Sequence, residues 1–128
     1  MHQKLFTCCV VLALSGCAMQ REGYLYSPTG PGRGTLVFSD ALENRGDVQA
    51  SLADGEHCHG RYTTVPGREV TWDDEKINQI YSEDTQAGMA ILECASGHVL
   101  RCDFSRAKAG AGMGQCVDTR GNKQTLYF

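Results

Sequence analysis

Three stretches of the chain share one spacing, and that spacing constrains the fold more than any other feature. Gly46, Gly55 and Tyr62 form the first set, Gly88, Gly97 and Phe104 the second, and Gly112, Gly121 and Phe128 the third. In each set the second glycine follows the first by nine residues, and the aromatic follows that glycine by seven. The last two sets lie 24 residues apart throughout. Self-similarity of this kind marks a recurring structural unit. Each copy reads as a β-hairpin, with turns at Ala53-Asp54-Gly55, Ala95-Ser96-Gly97 and Thr119-Arg120-Gly121. A glycine in third place of a three-residue loop supplies the left-handed conformation that closes such a hairpin.

The faces that this pairing creates support it. In the second copy Leu92 falls opposite Leu100, Ala90 opposite Cys102, and Gly88 opposite Phe104, giving a nearly all-apolar face. A two-residue turn would set Leu92 beside Arg101 and Ala90 beside Asp103, scattering charge over both faces. A one-residue slip flips every side chain, so the segregated register is preferred. Carried to the first copy, it turns Val48, Ala50, Leu52, Cys58, Gly60 and Tyr62 inward, and Gln49, Ser51, His57, His59 and Arg61 outward. In the third copy Gly114, Cys116, Leu126 and Phe128 face inward. The glycine and aromatic pattern Gly112-x-Gly114 … Gly121 … Tyr127 loosely resembles MORN-type repeats, without their full motif.

A different signal sits at the N-terminus. A short basic head ends at Lys4, and an apolar run from Leu5 to Leu14 follows, too short to span a bilayer. Leu14-Ser15-Gly16-Cys17 then resembles the lipobox of bacterial lipoproteins. In that family the cysteine thiol receives a diacylglycerol, a dedicated peptidase cuts before it, and the new amine is acylated. The resemblance implies a signal peptide over residues 1–16, lipidation at Cys17, and attachment to a membrane through that lipid. Ala18, rather than an aspartate, follows the cysteine, which resembles the outer-membrane-directed case and implies a domain facing the periplasm. The wider pattern, Gly55-Glu56 … Gly60-Arg61-Tyr62 and Gly112-x-Gly114-x-Cys116-x-Asp118 … Phe128, resembles small uncharacterised proteobacterial envelope lipoproteins and implies no activity.

Cleavage before Cys17 would leave 112 of the 128 residues, one small domain by length. The whole chain carries a formal charge of −3, and losing Lys4 makes it −4. No basic patch emerges, so nucleic acid is not an expected partner. Seven cysteines divide cleanly: Cys8 and Cys9 leave with the signal, Cys17 carries lipid, and Cys58, Cys94, Cys102 and Cys116 remain. An even number in an exported chain favours two disulfides, with three possible connectivities. All four fall on the inward face, and a meander would set Cys102 near Cys116, and Cys58 near Cys94 if the second hairpin lies beside the first.

Residues 17–34 read as a lipidated flexible tether, because Ser27-Pro28-Thr29-Gly30-Pro31-Gly32 is dense in Gly and Pro. Residues 35–128 form a single β domain, opening with a strand at Thr35–Ser39. Between the first two hairpins, Thr71-Trp72-Asp73-Asp74 has capping-box spacing and Ile77, Ile80 and Tyr81 fall at helical intervals, predicting a short helix from about Trp72 to Ser82 whose apolar stripe covers the sheet or an open end. The expected fold is all-β: an antiparallel meander of three hairpins plus an N-terminal strand, as a curved sheet or small barrel, with one inserted helix and two disulfides.

Candidate chemistry is sparse. His57 and His59 point the same way on a strand and could share a metal ion, but two ligands do not make a site. No free thiol or G-x-S-x-G elbow supports a nucleophile. Glu56 and Glu93 would need a cleft to act as acids. Gly110-Ala-Gly-Met-Gly114 lacks the Lys-Ser/Thr of a phosphate loop and reads as a hairpin connection. Charged outward faces argue against a membrane barrel, and Phe128 reads as a core plug. The expectation is a non-catalytic lipoprotein without a cofactor, contacting an envelope protein through Tyr24, Tyr26, Trp72 and Tyr81. A small-ligand or metal-binding lipoprotein and an inhibitor of a periplasmic enzyme are the alternatives.

Overall fold

The computed structural model describes residues 20–28, 32–42, 44–73, 76–107 and 110–128. Eight antiparallel strands run in chain order around a closed barrel: β1 (Gln20–Tyr26), β2 (Arg33–Leu42), β3 (Arg45–Ser51), β4 (His57–Asp73), β5 (Lys76–Cys94), β6 (Val99–Ala107), β7 (Gly112–Asp118) and β8 (Lys123–Tyr127). Pairing of Tyr24 with Tyr127 and of Tyr26 with Thr125 closes β8 onto β1. Every strand edge of the barrel is thereby paired, which removes the aggregation hazard of an open meander.

The three hairpins take the register that their faces favour. Ala50 lies opposite Cys58, Leu92 opposite Leu100, and Gly114 opposite Leu126. Gly55, Gly97 and Gly121 each close a three-residue turn with φ between 82° and 89°. Gly110, with φ 101°, donates its backbone N–H to the Ala107 carbonyl and helps turn the chain, but of the stretch Gly110–Gly114 read as a connection, Gly112, Met113 and Gly114 already belong to β7, paired with Arg106, Ser105 and Phe104. Cys58–Cys94 and Cys102–Cys116 are the disulfides, each joining residues directly opposite on adjacent strands.

Leu25, Leu36, Val48, Ala50, Leu92, Leu100 and Leu126 fill the interior, as expected for an eight-stranded barrel just wide enough to hold side chains. One end is plugged by rings. Phe38 lies 5.1 Å from Tyr62, 5.3 Å from Phe104 and 5.7 Å from Phe128, measured between ring centroids. The repeated glycines make room for this plug: Gly46 faces Tyr62, Gly88 faces Phe104, and Gly112 exchanges backbone bonds with Phe128. A Cβ on Gly112 would stand 2.6 Å from the Phe128 ring.

Two expectations are corrected. Residues 20 to 26 lie within the stretch read as a tether, yet they form β1: the alternation of buried Gly23 and Leu25 with outward Tyr24 and Tyr26 suits a strand, and β2 and β8 flank it. The described residues of the span Trp72–Ser82 form strand rather than the expected helix. β4 and β5 continue past the barrel as a two-stranded ribbon, pairing Trp72 with Ile77 and Val70 with Gln79. Val65, Val70, Thr71, Ile77 and Ile80 are β-branched, and cross-strand pairing outweighs the short helical spacing of Ile77, Ile80 and Tyr81. The register shifts between Pro66 and Arg68, with residues 82–85 bulging opposite Gly67 (φ 75°), and there the ribbon folds back over the outside of the barrel. The Val70 backbone bonds the Ser105 hydroxyl on β6, and the Val70 side chain is 4% exposed. Covering the sheet, the task expected of a helix, is done by this ribbon.

Candidate functional site

The end of the barrel opposite the aromatic plug carries the three repeat turns, and side chains link them into one surface. Glu56, which closes the first turn, accepts from both the hydroxyl and the backbone N–H of Ser96 in the second turn, the latter at 3.0 Å. These two bonds hold the Glu56 carboxyl below its usual pKa, with His98 and Arg120 adding favourable charge. His98 Nδ1 lies 3.2 Å from the Thr119 hydroxyl of the third turn.

Asp118 anchors that third turn. Its Oδ1 accepts from the backbone N–H groups of Arg120 (2.9 Å) and Asn122 (3.0 Å), and its Oδ2 accepts from the Arg120 guanidinium and the Asn122 amide. Burial alone would raise the Asp118 pKa, but these bonds outweigh it and hold the carboxyl below its usual value. Beside the turns lies an open cavity of about 620 Å³, whose wall includes Leu25, Leu52, Asp54, Asp118, Arg120 and Lys123. Most of its polar groups are committed to shaping the turns.

The outer wall is polar on one side and ribbon-covered on the other. His57 and His59 are exposed on β4; His57 Nδ1 lies 3.2 Å from the Ser51 hydroxyl, and His59 pairs across strands with Gln49 and Glu93. Among the described residues no group of three His, Cys, Asp or Glu side chains could hold a metal ion. Beneath the ribbon, Asp103 points outward from β6 yet is nearly buried, paired with the Arg101 guanidinium at 3.1 Å. Thr63, Val65, Ile77, Met89, Arg101 and Asp103 border a cleft of about 390 Å³ between ribbon and wall. Trp72 lies over Met113, Gln115 and Thr125, its Nε1 buried without an acceptor among the described residues.

The four aromatic residues expected to make contacts are therefore not equivalent. Tyr24 carries the Arg33 guanidinium over its ring at 4.6 Å, Tyr26 packs edge-on against Tyr127, and Trp72 is half-buried against the wall. Tyr81 stands 70% exposed. Glu93 lies on the outer face, away from either cavity. Leu14-Ser15-Gly16-Cys17 and Ala18 lie outside the described residues. Sequence reasoning missed the links Glu56–Ser96 and Asp118–Arg120–Asn122; the aspartate that opens Asp118-Thr-Arg-Gly-Asn122 was the available signal, since Asp at the first turn position commonly bonds its own backbone two residues on.

A closed barrel raises the question of membrane insertion. A transmembrane barrel is apolar outside and polar within. Here the interior is apolar, while Asp47, His57, His59, Arg61, Arg101 and Lys123 face outward. No helix among the described residues is long and apolar enough to cross a membrane. Comparison with protein-family models, curated proteins and solved structures yields no match.

Proposed function

We propose that this chain is a lipid-anchored envelope lipoprotein with a non-catalytic role, in which a rigid barrel presents its surface to another envelope protein. The observation that carries this reading is Leu14-Ser15-Gly16-Cys17, placed directly after a basic head and a short apolar run. The paired, inward-facing cysteines agree with export to an oxidising compartment. The interior is filled by side chains, which leaves the outer surface as the place for recognition. The carboxylates of the turn end hold turns in shape, a structural task rather than a reactive one. Ala18 favours the outer membrane as the destination.

Expression in a Gram-negative host with a radiolabelled fatty acid tests the anchor. The wild-type chain should take up label and partition with membranes, and Cys17→Ser should do neither. Unlabelled wild-type protein would remove this reading. In-cell crosslinking of the lipidated protein then identifies what it touches.

A second reading, a small-ligand lipoprotein, draws on the open cavity at the turn end and on exposed His57 and His59. A thermal shift with Cu²⁺ or Zn²⁺ that disappears in the His57→Ala/His59→Ala double variant would favour it.

A further inference from the structure

We infer that the plugged end of the barrel, where Gln20, Arg45, Gly112 and Phe128 lie, rests end-on against the bilayer, and that the turn end projects away from it. The inference depends on lipidation at Cys17 and deepens that reading by assigning one end of the barrel to the membrane. Only Ala18 and Met19 separate Cys17 from Gln20, and Gln20 is already paired with Ser39 in β1. Three Cα steps reach about 11 Å at full extension. The headgroup layer on one side of a bilayer is itself about 5–8 Å deep. A barrel so tethered cannot stand off from the membrane, and the end from which β1 starts must meet it.

The surface found there agrees. The ribbon folds back at Gly67 and residues 82–85, beside the point where Thr85 pairs with Ala107 at this same end. Tyr81 and Arg68, the first pair beyond the fold, are both exposed, and Ile80 follows at 47% exposure. An aromatic ring with an adjacent apolar residue suits the interface between headgroups and acyl chains, and an arginine there can extend its charge to water or phosphate. Exposed Glu83 and Asp84 stand next to them, so the fitting surface is one of zwitterionic rather than anionic headgroups. The flank bearing Asp47, His57, His59, Arg61 and Glu93 is charged and polar apart from exposed Ile91, which disfavours a barrel lying on that side.

The test uses the lipidated full chain, reconstituted into vesicles of phosphatidylcholine brominated on its acyl chains. A single tryptophan is placed at position 81 (Tyr81→Trp), at position 45 (Arg45→Trp) or at position 95 (Ala95→Trp), each with Trp72→Phe. Positions 45 and 81 lie at the plugged end, and exposed Ala95 lies in a turn at the other end. The expected result is quenching about threefold stronger at 81 and 45 than at 95, because bromines in the acyl region reach only nearby rings. Using two positions at the plugged end guards against one variant failing to fold. Equal quenching at all three, or stronger quenching at 95, overturns the end-on orientation while leaving the anchor standing. An intact mass without the diacylglyceryl group on residue 17 overturns both.

Discussion

Gly88 lies directly opposite Phe104, and a Cβ on Gly88 would stand 2.2 Å from two carbons of the Phe104 ring. A related geometry recurs at Gly46 and Gly112, where a Cβ would stand 2.9 Å from the Tyr62 ring and 2.6 Å from the Phe128 ring, and nearer still to the backbone oxygens of Ser39 and Ser105. The threefold spacing in the sequence therefore encodes a glycine that yields its space to the aromatic residue across the strand. Rings are seated over glycines three times, and the end of the barrel closes. Gly88→Ala should lower stability by about 1–3 kcal/mol through overpacking, whereas Phe104→Ala should cost about 3–5 kcal/mol through the cavity it leaves. Urea unfolding of the oxidised protein, with unchanged m-values, measures both.

The two disulfides should differ in what they contribute. Cys58–Cys94 closes a loop of sequence separation 36, and Cys102–Cys116 one of 14. Chain-entropy reasoning gives about 2–4 kcal/mol for each, with the longer loop worth about 0.8 kcal/mol more. Paired Cys→Ser replacements, compared by their denaturation midpoints, should therefore show the larger loss for Cys58/Cys94. The reverse order would assign the difference to native-state packing instead.

Asp118 makes stability depend on acid. Its folded pKa is depressed, so the stabilisation is complete above the unfolded value of about 3.9 and is lost as pH falls through the lower folded value. The wild-type melting temperature should decline below about pH 4, and Asp118→Asn should flatten part of that decline. At neutral pH, Asp118→Ala should cost about 1.5–3 kcal/mol, since Arg120 and Asn122 lose the charged acceptor that holds the turn. Melting curves from pH 2 to pH 7 decide the sign.

The folded-back ribbon should be separable from the barrel. Val70 is the buried residue that seats it, and Trp72 reports on it. Val70→Asp should lift the ribbon, shift Trp72 emission to the red, and open β4 to protease between Arg68 and Asp73, while both disulfides and the barrel's hydrogen-exchange protection persist. Loss of barrel protection as well would mean that ribbon and wall fold as one unit.

Much of the barrel was legible because period-two patterning and turn glycines are local signals. Leu92 facing Leu100 and Cys102 facing Cys116 could be placed without knowing any distant contact. What was not legible depended on distant contacts. β1 is a strand because β2 and β8 flank it, and nothing in Gln20–Tyr26 alone outweighs the Gly and Pro that follow. The ribbon misled because Ile77, Ile80 and Tyr81 fit a helix and a strand equally well over so short a span. Burial of Val70 against Ser105, invisible in the sequence, decided between them. The turn-end network was half-visible: Asp118 announces its own turn, but Glu56 reaches Ser96 only after 40 residues of intervening chain are folded.

Pairing of Tyr24 with Tyr127 has a consequence for the order of assembly. Of the eight barrel strands β1 is made first, and it can complete its hydrogen bonding only when β8 follows the other six. Until then the chain exposes two unpaired edges, β1 and whichever strand has most recently emerged. Both disulfides lie between β4 and β7, so a cross-linked but still open sheet can precede closure. A chain stopped after Asp118 would be held in that open form, with β1 and β7 free to pair with neighbouring molecules. The five-residue strand β8 is thus the latch that turns an open, adhesive sheet into a barrel without free edges.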